Sequence, residues 1–253
     1  MELNLKDSLY VVTGSTSGFG KAIAEQLIKE GAFVIINARG EQKLETLHQE
    51  YPNSTDILPG DITSDAVISE LLRKVHGRKL DGIVINAGGP PAKSFINTEI
   101  TDWDNAYEKL LRWKVKLTQE LLEKFQLQNY GRILFIERQP IENLILSNSL
   151  RMAVVGFVKT LSQEVAHQGI TLNILAPGYH ATPAMERLFA NKSMLLGITP
   201  EDARKEFEKE TKVGHLGDPN DFASLAVWLL SFHSRFITGQ TISVDGGLMK
   251  ASM

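Results

Sequence analysis

The sequence predicts an α/β protein in which a parallel sheet is covered by helices on both faces. Three observations predict it. Short, continuous apolar runs rich in β-branched residues recur along the chain. Amphipathic stretches of helical length lie between them. A glycine-rich turn joins the first run to the first such stretch. Strands buried on both faces read as unbroken apolar runs, and helices on either side of a parallel sheet bury them in that way.

Along the chain, "LYVVTG" (9–14) is the first strand and Gly20 to Glu30 the first helix. "AFVIINA" (32–38) and "DGIVINAG" (81–88) are further strands. "KLLRWKVKLTQELLEKF" (109–125) is a helix with two apolar stripes, Leu110, Leu117, Leu121, Phe125 and Leu111, Val115, Leu122. One stripe can face the sheet and the other a second subunit, or both can form one broad buried face. Its cations Lys109, Arg112, Lys114 and Lys116 are expected in solvent. "RILFIE" (132–137) is a strand, and "NLILSNSLRMAVVGFVKTLSQE" (143–164) is one amphipathic helix whose register is set by Val155, Phe157 and Leu161 packing inward. "TLNILAPG" (171–178) is a strand. In 182–210, Thr199-Pro-Glu-Asp202 starts a helix with a capping-box-like pattern. Asp218 caps a helix from Pro219 to Leu230, with proline at its first position. "QTISVDGG" (240–247) is the last strand.

Composition narrows the function. The chain has 253 residues, 43% hydrophobic and 23% charged, which suits a packed globular core, and one domain over 1–253 is expected. A net charge of -3 gives no reason to expect nucleic acid or an anionic membrane as partner. There is no cysteine, so thiol catalysis and disulfides are excluded, in keeping with a cytoplasmic protein. No signal peptide is visible, and no apolar run approaches the ~18–20 residues of a membrane span. The six histidines lack metal-ligand spacing, so no metal is expected.

"VVTGSTSGFGKAIAEQL" (11–27) is strand, glycine turn, helix. Gly14 suits a turn that a side chain would block. Gly18 and Gly20 let the backbone approach a pyrophosphate at the positive end of the helix. The alternative is a tight turn without a ligand. At the end of the second strand, an acid would bind the 2′-hydroxyl of NAD. Here Ala38 and Arg39 stand instead, and Arg39 suits the 2′-phosphate of NADP. NAD remains possible, because Arg39 can equally be a solvated loop cation.

These motifs resemble the short-chain dehydrogenase/reductase family over nearly the whole chain. The likeness rests on Thr13-Gly14-x-x-x-Gly18-x-Gly20, Asp61, Asn86-Ala87-Gly88, Pro177-Gly178 with Thr182, and "FITGQTISVDGG" (236–247). "NAGGPP" and "LSNSLRMAVVGFVKTL" are similar to a divergent branch named after 3-oxoacyl-carrier-protein reductases. The resemblance implies a Rossmann-type, doubly wound seven-stranded sheet of order 3-2-1-4-5-6-7 and a homotetramer. It implies a cofactor loop of Gly14, Ser15, Thr16, Ser17, Gly18, Phe19 and Gly20. Asp61 and Ile62 would hold the adenine, and Asn86, Ala87 and Gly88 would line the cleft. Pro177, Gly178 and Thr182 would cradle the nicotinamide, and residues 182–210 would cover a carbonyl or alcohol substrate. Met185, Leu188, Phe189, Leu195 and Leu196 could form an apolar lid there or pack among themselves.

The family's Asn, Ser, Tyr and Lys are missing. The register puts Ser147 in the Tyr position, Arg151 in the Lys position and Leu110 in the helix-Asn position. After "GRILFI" (131–136), "ERQPIENL" follows at once, with about four residues fewer than that branch. A serine hydroxyl is a poor acid beside a phenol, and an arginine hardly gives up its proton. Arg151 can still stabilise an oxyanion, with Arg138 a second candidate for that role, or it can touch the cofactor ribose or a neighbouring carboxylate. Glu137, Tyr179 and His180 are further possible acids, the last two equally explained by packing. Two readings remain. One is an NADP-dependent oxidoreductase with an atypical proton donor; the other is a cofactor-binding sensor or scaffold without turnover.

Overall fold

The computed structural model describes residues 1–89, 93–137 and 144–250. Strand β1 (Leu9–Thr13) leads through the glycine turn into α1 (Gly18–Lys29). Then come β2 (Phe33–Ala38), α2 (Glu41–Glu50), β3 (Thr55–Pro59), α3 (Asp65–Val75) and β4 (Gly82–Ile85). Helix α4 (Ile100–Tyr107) passes through a π-helical turn, Glu108–Arg112, into α5 (Trp113–Gln128). Next are β5 (Gly131–Ile136), α6 (Ile145–Val165) and β6 (Ile170–Pro177). Helices α7 (Pro183–Leu196), α8 (Pro200–Glu210) and α9 (Pro219–Leu230) precede β7 (Thr241–Val244).

The strands form one parallel seven-stranded sheet of order β3-β2-β1-β4-β5-β6-β7, the order that the resemblance implies. Alternate side chains of each strand serve opposite faces. On β1, Tyr10 and Val12 join a core with α1, α2 and α9, while Leu9 and Val11 join a second with α3, α5 and α6. A smaller third cluster, built on Tyr179, Met185, Phe189, Ala203 and Leu216, lies within the segment that holds α7 and α8. Helix α1 packs on α9, and the Tyr10 hydroxyl donates to the Leu230 carbonyl at 3.0 Å. None of the helices is long and apolar enough to cross a membrane, among the described residues.

Several expectations need correction. The region read as a single helix over 109–125 starts with the π turn, whose inserted residue turns the following face by about 100°. Lys114 is not in solvent: it is 1% exposed, on the same buried stripe as Leu110, Leu117 and Leu121. Arg112 and Lys116 pair with Asp65 at the start of α3. On α6 the inward stripe is Val154, Val158 and Val165, one position away from the expected one, and Val155, Phe157 and Leu161 are half-buried beside it. The capping expectations hold: Thr199 Oγ1 accepts from Asp202 N at 3.1 Å, and Asp218 Oδ1 accepts from Asn220 N at 2.8 Å.

Candidate active site

The carboxyl ends of the strands open into a cleft of about 730 Å³. It lies where β1 has β2 on one side and β4 on the other, the switch point at which such sheets bind ligands. Gly14 and Gly18 have φ of 64° and 53°, in the left-handed region that favours glycine. A Cβ on Gly20 would come within 2.2 Å of the Gly14 carbonyl oxygen. Gly20 therefore serves the packing of the turn, whereas Thr16, Ser17, Gly18 and Phe19 line the cleft. Ser15 is fully buried, and its hydroxyl donates to the Asn37 carbonyl rather than into the cleft. The first N–H groups of α1 have no intrahelical partner and face an anion naturally. Thr182, which caps α7, lies against Gly18, so two helix N-termini meet at one spot.

Asn86 supports this turn from β4. Its N–H donates to Thr13 Oγ1 at 2.8 Å, and Thr13 Oγ1 donates back to its carbonyl at 2.7 Å. Ala87, Gly88, Pro177 and Gly178 line the cleft beyond it. At the other end stand Ala38, Arg39, Asp61 and Ile62. Asp61 Oδ1 accepts from the Thr63 N–H at 3.0 Å, which orders the loop. Lys43, on α2 four residues after Arg39, joins the lining and escaped the sequence reading. The i, i+4 spacing was the available signal. Neither cation has an acidic partner among the described residues, so both are free for an anion such as a 2′-phosphate.

The expected catalytic positions hold a buried charge network. Glu137 follows β5 and is 2% exposed. Lys114 Nζ donates to its Oε1 and Arg151 Nη1 to its Oε2. Arg151 Nε donates to Ser147 Oγ at 2.9 Å. Ser147 and Arg151 are 7% and 8% exposed, and Arg151 lines the cleft while Ser147 lies behind it. Burial lowers the Lys114 pKa, and nearby Glu137 opposes that shift. Among the described residues, one carboxylate, Glu137, stands between two basic side chains next to the cleft. Arg138 lies outside the described residues, as do residues 139–143.

The other possible acids are engaged in packing. Tyr179 donates to Glu210 Oε2 at 2.9 Å and meets Phe207 edge-on. His180 lies between Phe19 and Phe222, and burial lowers its pKa, so its ring is neutral near pH 7. Met185 and Phe189 are buried in the third cluster, whereas Leu195 is 84% exposed.

A family model described as enoyl-(acyl carrier protein) reductase matches residues 14–249. The 3-oxoacyl-[acyl-carrier-protein] reductase FabG of Haemophilus influenzae is 31% identical, with 96% of this chain and 99% of that protein covered. The FabG of Rickettsia bellii is 30% identical, covering 98% and 99%. Among solved structures, YwfH, an NADPH-dependent reductase involved in bacilysin biosynthesis, superposes with a TM-score of 0.91 at 25% identity, covering 97% of this chain and all of that one. An actinorhodin polyketide ketoreductase with NADPH gives 0.88 at 27%, covering 97% and 98%. By these likenesses, and by its strand order, glycine turn and cleft, the chain belongs to the short-chain dehydrogenase/reductase family of NAD(P)-dependent oxidoreductases.

Proposed function

We propose that the chain reduces a small carbonyl compound with NADPH, and that Arg151 does part of the work of the missing tyrosine and lysine. One observation carries this reading. The Arg151 guanidinium lines the same cleft as the glycine turn, with Nη2 donating to none of the described residues. NADPH is preferred over NADH because Arg39 and Lys43 stand free beside Ala38, with no carboxylate there to repel a 2′-phosphate. The two structural relatives named above are themselves described with NADPH.

The residues fit that cofactor. Gly14 and Gly20 keep the turn too tight for side chains, and the start of α1 offers its N–H groups to the pyrophosphate. Asp61 and Ile62 flank the adenine end, and Pro177, Gly178 and Thr182 the nicotinamide end. NADPH, when bound, would supply the hydride for reduction of the carbonyl carbon. Arg151 donates a hydrogen bond to the carbonyl oxygen and stabilises its growing negative charge. Water in the cleft then gives that oxygen its proton. Ser147 is a weak acid whose oxygen already accepts from Arg151, so it orients the guanidinium. Doing without a dedicated acid costs ~10²–10⁴ in rate. Holding the reactants together is worth ~7–11 kcal/mol, enough to leave useful catalysis.

Residues 182–210 cover the substrate, with Pro183, Ala184, Met185 and Leu188 as the part of that segment's apolar surface that reaches the cleft. The assembly is a homotetramer. The half-buried Leu111 of the π turn, Val115 and Leu122 of α5 and the exposed Met152 of α6 offer apolar surface for one contact, and the fully exposed Phe236 for another. The test is a fluorescence titration with NADPH and NADH, followed by a carbonyl screen that monitors NADPH absorbance. Absence of NADPH binding would overturn the reading. Tight binding without oxidation by any carbonyl would make the chain a cofactor-binding module instead.

A further inference from the structure

Lys114 is an expensive residue to keep. Glu137 and Arg151 alone would form a neutral buried pair. Lys114 adds a second cation at 1% exposure, on a stripe otherwise filled by Leu110, Trp113, Leu117 and Leu121. An apolar side chain there would pack without the cost of desolvating a charge. What the lysine changes is the geometry of its neighbour. An arginine and a carboxylate left to themselves favour a fork in which two N–H groups meet both oxygens. Here Lys114 occupies Oε1, so Glu137 holds Arg151 through Oε2 and Nη1 only. Ser147 takes Nε. Nη2 donates to none of the described residues and lies beside Gly89 in the cleft lining, where a Cβ would sit 3.3 Å from it.

We propose that Lys114 is a positioning residue: by occupying one oxygen of Glu137 it prevents a two-pronged clamp on Arg151 and keeps Nη2 directed into the cleft. The inference rests on the role given to Arg151 above. It places the amine on α5, although the family pattern puts its lysine on α6. Lys114 acts through Arg151 and touches no substrate.

The test compares the parent, Lys114→Met, Arg151→Met and the double variant. Each is measured for melting temperature, NADPH affinity, binding of acetate to the NADPH complex, and turnover of ethyl 3-oxobutanoate. The acetate carboxylate stands in for the charge that grows on a carbonyl oxygen. Lys114→Met should melt no lower than the parent and keep its NADPH affinity. Its acetate affinity should fall ~10-fold, the scale of one charge-assisted hydrogen bond. In the Arg151→Met background, Lys114→Met should have no further effect. Equal losses in both backgrounds would overturn the proposal, because Lys114 would then act independently of Arg151. Unchanged acetate binding in Lys114→Met would overturn it too, as would a parent complex that binds no acetate. If the acetate cycle behaves as expected but no carbonyl is reduced, the reductase reading falls and the positioning role stands. If Arg151→Met matches the parent in acetate binding and turnover, both fall.

Discussion

Replacing Glu137 by Gln keeps its shape and removes its charge. Glu137 is the only acidic partner of Lys114 and of Arg151 among the described residues. Both cations are more than nine-tenths buried, so the variant leaves two positive charges facing each other without an anion. Breaking a buried ion pair typically costs ~3–5 kcal/mol. For a chain of this size each kcal/mol is worth about 2–4 °C, so a melting scan should show a drop of roughly 6–20 °C near pH 7. The pH dependence adds a second check. Burial already holds the Lys114 pKa below its ordinary value, and Glu137 works against that. Without Glu137 the folded-state value falls further. Between the folded and unfolded values the unfolded chain binds more protons, so stability rises with pH in that window. The deficit relative to the parent should therefore be fully present below the folded value and shrink as pH climbs toward the ordinary lysine value of ~10. A Glu137→Gln variant within ~1 kcal/mol of the parent, or a gap that stays constant with pH, would refute this account of the network.

Arg39→Ala should lose ~1.5–3 kcal/mol of NADPH affinity and none of NADH affinity; identical titrations of parent and variant would remove the claim. Ser147→Ala should leave turnover nearly unchanged, because the serine is not the acid and Glu137 still holds Arg151 through Nη1, whereas Arg151→Ala should weaken turnover or cofactor binding ~10-fold or more. Loss of all turnover in Ser147→Ala alone would make the serine the acid. Gly20→Ala pushes a methyl group against the Gly14 carbonyl, and should abolish measurable NADPH binding and lower stability by ~1–3 kcal/mol. A variant that binds NADPH like the parent would show that the turn can relax. Sedimentation at micromolar concentration should report a tetramer, and a stable monomer would end that part of the proposal.

Strands β1, β2, β4, β5 and β6 were legible because burial on both faces makes them continuous apolar runs. The edge strand β3, "TDILP", yielded no such run, since Asp56 and Ile57 are only half-buried and it ends in proline. Helix α9 was legible to the residue, because Asp218 and Pro219 punctuate its start. The π turn was not, because an inserted residue leaves composition unchanged and alters only the phase of the helix beyond it. The glycine loop was readable from spacing, although spacing alone could not separate Gly20, which the fold needs, from Gly18, which lines the cleft. Lys114 was misread because its charge was weighed above its position. The stripe Leu110, Lys114, Leu117, Leu121 placed it inside, but its anion comes 23 residues later, after a different element. Long-range pairings of that kind leave no local periodicity to read.

The packing of α1 on α9 sets a timetable for the chain as it is made. The face of α1 carrying Ala22, Ile23 and Leu27 belongs to the core that α9 completes. Roughly 200 residues separate the two helices, which at typical synthesis rates is ~10–40 s. For that interval the first helix of the nucleotide half is translated but uncovered, and Tyr10 waits for the Leu230 carbonyl. Partner strands β2 and β4 can pair with β1 early, yet one face of that sheet stays greasy until α9 leaves the ribosome. A chain stalled anywhere before residue 219 should therefore be a customer for chaperones rather than a smaller working enzyme.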